Sequence, residues 1–271
     1  MDKAKNIAFR IFFSAVMLAL LTTCATSGKT QAAAEELLHD APKWEKASWT
    51  DSAYALKFDK AGIRYCCVKI DLAAEPVSIQ AYPRKEGGKE VSKPIRIKKF
   101  VEMTGARIAI NTTPYTKGGK AIGIHIDRGD KLSAEAKRYS ALYFERGENG
   151  LKAKISENQS ADDFSEAEFA FGGFFTILKD GEKRSFAHTS YDARSAAGIS
   201  ADGKTLYLLS VEKGFFKRGL SYPECAEILL ALGADDAIEF DGGSSTSLFM
   251  DGMIDISESP RKNAAYMGLT F

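Results

Sequence analysis

The stretch that decides the fold reads Ser221-Tyr-Pro-Glu224-Cys-Ala-Glu-Ile-Leu-Leu-Ala-Leu232-Gly233, followed by Ala237-Ile-Glu-Phe-Asp241-Gly242-Gly243-Ser244-Ser245-Thr246. Ser221 can cap a helix, Pro223 is tolerated in its first turn, and Glu224 stands three residues after the cap as in a capping box. Gly233 ends that helix after Leu232. The helix travels roughly 16 Å at about 1.5 Å per residue, and the strand 237–241 returns roughly 13 Å at about 3.3 Å per residue. The return brings Asp241, Glu224 and the Gly-Gly-Ser turn to one end of a sheet. First-turn amides and a glycine-rich turn both attract anions. Arg218 lies just before the helix and Arg194 in the neighbouring strand region, so guanidinium forks are expected to join those amides around a phosphate.

Working outward, apolar runs and alternation predict strands at 54–58, 63–72, 77–82, 107–110, 121–127, 139–144 and 151–155. Further strands are expected at 196–199, 206–211, 247–250, 253–256 and 265–271. Asp180-Gly181, Asp202-Gly203 and Asp251-Gly252 read as tight turns, because glycine tolerates the positive φ they need. Mixed apolar spacing from Lys93 to Thr104, closed by Gly105, predicts a second helix. Nothing marks a second globular domain. The expected architecture is α+β: a single domain over 44–271 with a large mixed β-sheet and a few packed helices.

The 271 residues are 45% hydrophobic, which excludes a disordered chain, and only four are Cys, which excludes a disulfide scaffold. With 37 Lys+Arg against 36 Asp+Glu, the chain lacks the basic surplus of a nucleic-acid binder. Residues 1–27 read as a leader: Lys3, Lys5 and Arg10 precede an apolar run from Ile11 to Leu21. Leu21-Thr-Thr-Cys24 resembles a bacterial lipoprotein box with Cys24 as the lipidated residue; the other reading is signal cleavage near Ala32-Ala33-Ala34. Either reading places the mature protein outside the cytoplasm, anchored in the bacterial cell envelope on the first and periplasmic or secreted on the second, with 28–43 as a flexible tether. Cys66, Cys67 and Cys225 remain, an odd number. One of the adjacent pair bridges to Cys225, or all are buried thiols. Three scattered His, among them His125 and His188, offer no zinc spacing.

Each candidate site residue also has a structural reading. Glu224 can simply close its capping box, Arg194 can pair with Glu212 or Asp192, and Asn111 can bond its own turn. Ser244 and Ser245 lack the setting of a serine nucleophile.

Taken in order, several pieces together resemble the phosphodiester glycosidase family. They are Ile110-Asn111, Gly172-Gly173 before Asp180-Gly181, Arg194 with Gly198, Arg218-Gly219-Leu220 with Glu224, Asp241-Gly-Gly-Ser-Ser245, and Arg261 with Asn263. The chain departs from the family pattern at Asn111-Thr-Thr-Pro-Tyr115 and at Lys213-Gly214. The resemblance implies hydrolysis of a glycosidic bond whose leaving group is a phosphodiester, with a sugar-1-phosphodiester or phosphorylated glycan as substrate. It assigns Asp241 to the anomeric carbon as nucleophile or base and Glu224 to a supporting or acid role. Arg194, helped by Arg218, would clamp the phosphate. Asn111 would bind a sugar hydroxyl or the phosphate, and Gly242, Gly243, Ser244 and Ser245 would give close backbone approach and polar contacts. No cofactor is required; a divalent cation beside Asp241 is compatible with the spacing but not demanded by it. The competing class is a non-catalytic envelope lipoprotein that binds a phosphorylated glycan or a protein.

Overall fold

Arg194–Ile199 is buried at every position, because one of its faces meets the core and the other a helix. In the computed structural model, which describes residues 43–271 apart from 75, 148–149, 188 and 258–260, this strand lies inside an eight-stranded sheet. The sheet runs Glu45–Lys46, Ala53–Lys60, Ile63–Asp71, Thr205–Val211, Arg194–Ile199, Asp236–Glu239, Thr176–Lys179, Glu182–Lys183. Two five-stranded sheets accompany it. One contains Ala141–Gly147, Phe169–Gly172 and His125–Asp127; the other contains Ser247–Met250, Ile108–Asn111, Tyr266–Thr270 and Ser78–Tyr82. Inward residues of all three sheets, among them Val68, Ala197, Ile238, Phe144, Phe171, Ile110, Leu248 and Met267, build one apolar core.

The expected single mixed sheet is corrected. Among the described residues every strand pairing is antiparallel, and strands outnumber helices heavily. Hairpins such as Arg194–Ile199 with Thr205–Val211, turned at Asp202-Gly203, need no parallel crossover. Only two α-helices are described, one on the outer face of each of two sheets. Helix α1 (Ile97–Thr104) packs Ile97 and Phe100 against Tyr82, Ala109 and Tyr266. Helix α2 (Tyr222–Leu232) covers the outer face of the eight-stranded sheet. A methyl group at Gly198 would sit 2.8 Å from the Ala234 Cβ and 3.3 Å from a Leu229 methyl, so only glycine lets that segment approach the sheet closely. No helix among the described residues is long and apolar enough to cross a membrane.

Two expected elements are shorter than predicted. Helix α1 begins at Ile97, not Lys93, because Arg96 is extended and Ile95 forms a two-hydrogen-bond bridge with Asn263. The strand expected over 121–127 is reduced to His125–Asp127. Cys66, Cys67 and Cys225 are free and buried, so no bridge forms. Burial pushes the Cys66 thiol up to about 11 and raises those of Cys67 and Cys225 well above the ordinary thiol range, which leaves them unreactive. The leader, the tether up to residue 42, Cys24 and His188 lie outside the described residues. His125 is a core residue: its Nε2 meets the Pro83 carbonyl at 2.8 Å, and burial lowers its pKa to about 4.

Candidate active site

Asp241 lies two residues past the end of the strand Asp236–Glu239, after Phe240, and opens the turn to the short 3-10 helix Gly243–Ser245. Its backbone is held from two sides. Its N–H donates to the Thr112 carbonyl at 2.9 Å, and its own carbonyl accepts from Asn111 Nδ2 at 2.6 Å. Asn111 is fully engaged: its Oδ1 also accepts from Ser195 Oγ at 2.7 Å and the Ser247 N–H at 2.9 Å. One buried amide therefore ties together Ile108–Asn111, Arg194–Ile199 and the turn carrying Asp241. Asn111→Ala, which orphans these partners, is expected to lower unfolding free energy by about 2–3 kcal/mol in urea titrations. An unchanged midpoint would contradict this structural role. Gly242 is required by close approach: a Cβ there would lie 2.8 Å from the Ala193 carbonyl oxygen. Gly243 takes φ +58°.

The Asp241 carboxylate accepts from the Ser245 hydroxyl and feels the charge of Arg261. Burial outweighs both and holds its pKa above the ordinary aspartate range. The same Ser245 and Arg261 line a cavity of about 370 Å³. Ser244 to Ser247 form one wall; Arg261, Asn263 and Tyr266 form a second; Arg96, Ile97 and Lys98 form the third. Arg261 is oriented before any ligand arrives. Its Nε donates to the Tyr115 hydroxyl at 2.8 Å, its Nη1 donates to Ser244 Oγ, and its guanidinium lies over the Tyr115 ring. Asn263 Nδ2 donates to the Ser245 carbonyl at 2.7 Å and fixes the wall. The third wall is the N-terminus of α1, where Arg96 is the extended cap residue, no side chain caps the helix, and the first turn carries no acid. Uncapped first-turn amides, with Arg96, Lys98 and Arg261 around them, make an anion-binding cavity. Lys98 also pairs with exposed Asp255 at 2.8 Å.

The residues expected to build the anion cradle are placed differently. Arg194 shares a strand face with Ala196 and Gly198, the face that α2 covers. Its side chain is 6% exposed; Nε donates to the Leu220 carbonyl at 2.9 Å, Nη2 donates to the Ser190 carbonyl, and the guanidinium lies 4.2 Å from the Tyr222 ring centre. The backbones of Arg194 and Asp241 are neighbours, since Phe240 N–H reaches the Ser195 carbonyl and Gly243 N–H the Ala193 carbonyl, each at 2.8 Å. Strand alternation turns the Arg194 side chain under the helix rather than into the cavity. Arg218 donates to Glu224 Oε1 at 2.7 Å, and Glu224 Oε2 accepts from both the Ser221 N–H and its hydroxyl at 2.8 Å. The α2 N-terminus is thus closed by its own capping box. Burial would raise the Glu224 pKa, but hydrogen bonds from Arg218 and Ser221 outweigh it and hold the carboxyl below its ordinary range. An ionised Glu224 cannot serve as a general acid. Both corrections have one cause: helix α2 uses these groups itself.

Sequence reasoning missed Arg96 and Lys98, whose only signal is a helix start without Ser, Thr, Asp or Asn. It flagged Arg261 and Asn263 as a motif but gave them no role. It also missed Glu239, which is 1% exposed beneath α2 with neither carboxylate oxygen hydrogen-bonded; its nearest cation atom, Arg194 Nη1, is 3.9 Å away. As to metals, Asp180, Asp235 and Asp236 are close enough to share a cation among the described residues, and Asp236 already bonds Lys179 at 2.8 Å. That group does not include Asp241.

Residues 104–268 match the family model described as phosphodiester glycosidase. No curated protein matches the chain. Among solved structures, the catalytic domain of zebrafish N-acetylglucosamine-1-phosphodiester α-N-acetylglucosaminidase, auto-inhibited by its pro-peptide, superposes with a TM-score of 0.64 at 16% identity, covering 84% of this chain and 86% of that one. A hypothetical protein from Synechocystis gives 0.63 at 14% identity, covering 85% of this chain. This chain spans 64% of the length of that protein. A Burkholderia pseudomallei protein gives 0.56 at 13% identity, covering 77% and 74%. At these identities the three structures share the fold with this chain.

Proposed function

This chain belongs to the phosphodiester glycosidase family, and from that premise we propose that it hydrolyses the glycosidic bond of a sugar-1-phosphodiester at the cavity that Ser245 and Arg261 line. The observation that carries the reading is that Ser245 and Arg261, which line a cationic cavity together with Arg96, Lys98 and the uncapped N-terminus of α1, both act on the Asp241 carboxylate. The phosphodiester would lie against Arg261 and the α1 amides, and the anomeric carbon would face Asp241. Water adds to the anomeric carbon and the sugar–oxygen bond breaks, releasing free sugar and a phosphomonoester. That leaving group needs charge neutralisation more than protonation, so a single ionised carboxylate with a cationic clamp suffices. Asp241 acts as nucleophile or as base toward water. The leader read over 1–27 would export the enzyme and anchor it in the cell envelope through Cys24.

Incubation with a sugar-1-phosphodiester and measurement of free sugar tests the reading. Release supports it; tight binding of phosphorylated glycans without release would favour a binding module instead. Arg261→Gln gives a second readout. Loss of the clamp is expected to raise KM by roughly tenfold or more. Loss of the positive charge also raises the Asp241 pKa, because that charge stabilises the carboxylate. The acid limb of kcat/KM should therefore move to higher pH. A profile unmoved on its acid side would detach Arg261 from Asp241.

A further inference from the structure

Lys213–Gly214 and Lys217–Arg218 pair as the two arms of a minimal hairpin whose tip is Phe215–Phe216. Phe215 is 96% exposed and Phe216 82%. The two rings meet edge to face at 5.0 Å. Side chains this exposed contribute nothing to the core, and contiguous exposed apolar surface marks a contact site. The hairpin is held firmly at its base. Glu212 N–H donates to the Arg64 carbonyl at 3.0 Å, Arg218 N–H donates to the Gly62 carbonyl at 3.1 Å, and Lys213 Nζ donates to the Tyr191 carbonyl at 2.9 Å. The tip therefore stands beside the Ala61–Gly62 turn at one end of the eight-stranded sheet.

Three further features meet at that end. Segments 57–64 and 212–218 carry six cations against two acids; Asp192 and Glu224, which pair with Lys213 and Arg218, reduce the excess without reversing it. Among the cations, exposed Lys57 and Lys60 have no acid partner among the described residues. Glu45 faces Ala55 and Lys46 faces Tyr54 in an antiparallel pair, so the first strand of the sheet starts on the side of Lys60 and the hairpin. Finally, Arg194 faces Val211 and Val211 faces Tyr65, which sets the Asp241 turn at the same end.

We infer that Phe215 and Phe216 are a membrane-interface anchor that inserts into an anionic phospholipid bilayer and holds the candidate active site at its surface. Phe carries no polar atom, so an apolar acyl layer suits it, and flanking cations suit acidic headgroups. One hydrophobic signal gives only reversible membrane attachment, and a second, such as the N-terminal anchor, makes it stable. The sequence-read tether of about 15 residues reaches on the order of 50 Å when extended, enough for both anchors to engage at once. The inference rests on the reading of residues 1–27 as an export and anchoring leader.

The full chain carrying Phe216→Trp is reconstituted into phosphatidylglycerol/phosphatidylcholine vesicles whose acyl chains are brominated. Leu230→Trp, an exposed position near the far end of α2, serves as control, with wild-type emission from Trp44 and Trp49 subtracted. Tip emission quenched at least twofold more than the control supports the anchor. Equal quenching in a chain that still sediments with vesicles overturns the hairpin's role and leaves the leader reading standing. A chain that does not sediment overturns both. Tip emission that responds to a phosphorylated glycan but not to brominated lipid also overturns the anchor, in favour of sugar stacking.

Discussion

Asp241→Asn is expected to lower kcat for sugar-1-phosphodiester hydrolysis on the order of 10³-fold, the usual scale for losing a positioned base or nucleophile. The substitution is nearly isosteric, and the two hydrogen bonds that hold residue 241, from Asn111 Nδ2 and to the Thr112 carbonyl, are made by its backbone. The fold should therefore survive, and KM should change little, because Arg261 and the α1 amides still hold the phosphate. A variant that retains more than a tenth of wild-type kcat would remove Asp241 from the mechanism. One that loses activity through unfolding would show it in the melting curve.

Glu239→Gln is expected to change the pH dependence of stability by several kcal/mol. Burial beneath α2 raises the Glu239 pKa to about 8, and Arg194 offsets only part of that. An unfolded glutamate titrates near its ordinary value of 4.5. Between these two values the folded chain keeps a proton that the unfolded chain has released, so this residue's contribution to stability falls as pH rises through the window. The loss is on the order of 5 kcal/mol across it. Glutamine cannot titrate. The unfolding free energy of Glu239→Gln relative to wild type should therefore improve steadily from pH 4.5 to 8 and level off above, whatever constant offset the amide adds. A difference independent of pH would mean that Glu239 is not held neutral in the folded state.

How far the sequence anticipates this site depends on the range of the forces involved. Helix α2 was legible to the residue at both ends, because Ser221, Glu224 and Gly233 act on amides within one turn. Asp180-Gly181 and Asp202-Gly203 were legible for the same reason, as the first joins the paired neighbours Lys179 and Glu182 and the second closes through Gly203 N–H on the Ser200 carbonyl. The sheet partners were not, since Ile108–Asn111 pairs with strands far along the chain. The capping-box reading of Glu224 was legible too, whereas the placement of Arg194 was not, because its burial depends on α2 packing against the sheet. Arg96 and Lys98 reach the site through the bridge between Ile95 and Asn263 and the packing of α1 on Tyr82, Ala109 and Tyr266, long-range contacts with no local signature.

Hydrolysis in ¹⁸O-labelled water tests the central claim most directly, because it reports which bond breaks. With purified chain and a sugar-1-phosphodiester, attack at the anomeric carbon beside Asp241 puts the label on the sugar C1 hydroxyl and leaves the phosphomonoester unlabelled. Label in the phosphate would mean cleavage at phosphorus, and the assignment of Asp241 to the anomeric carbon would be wrong.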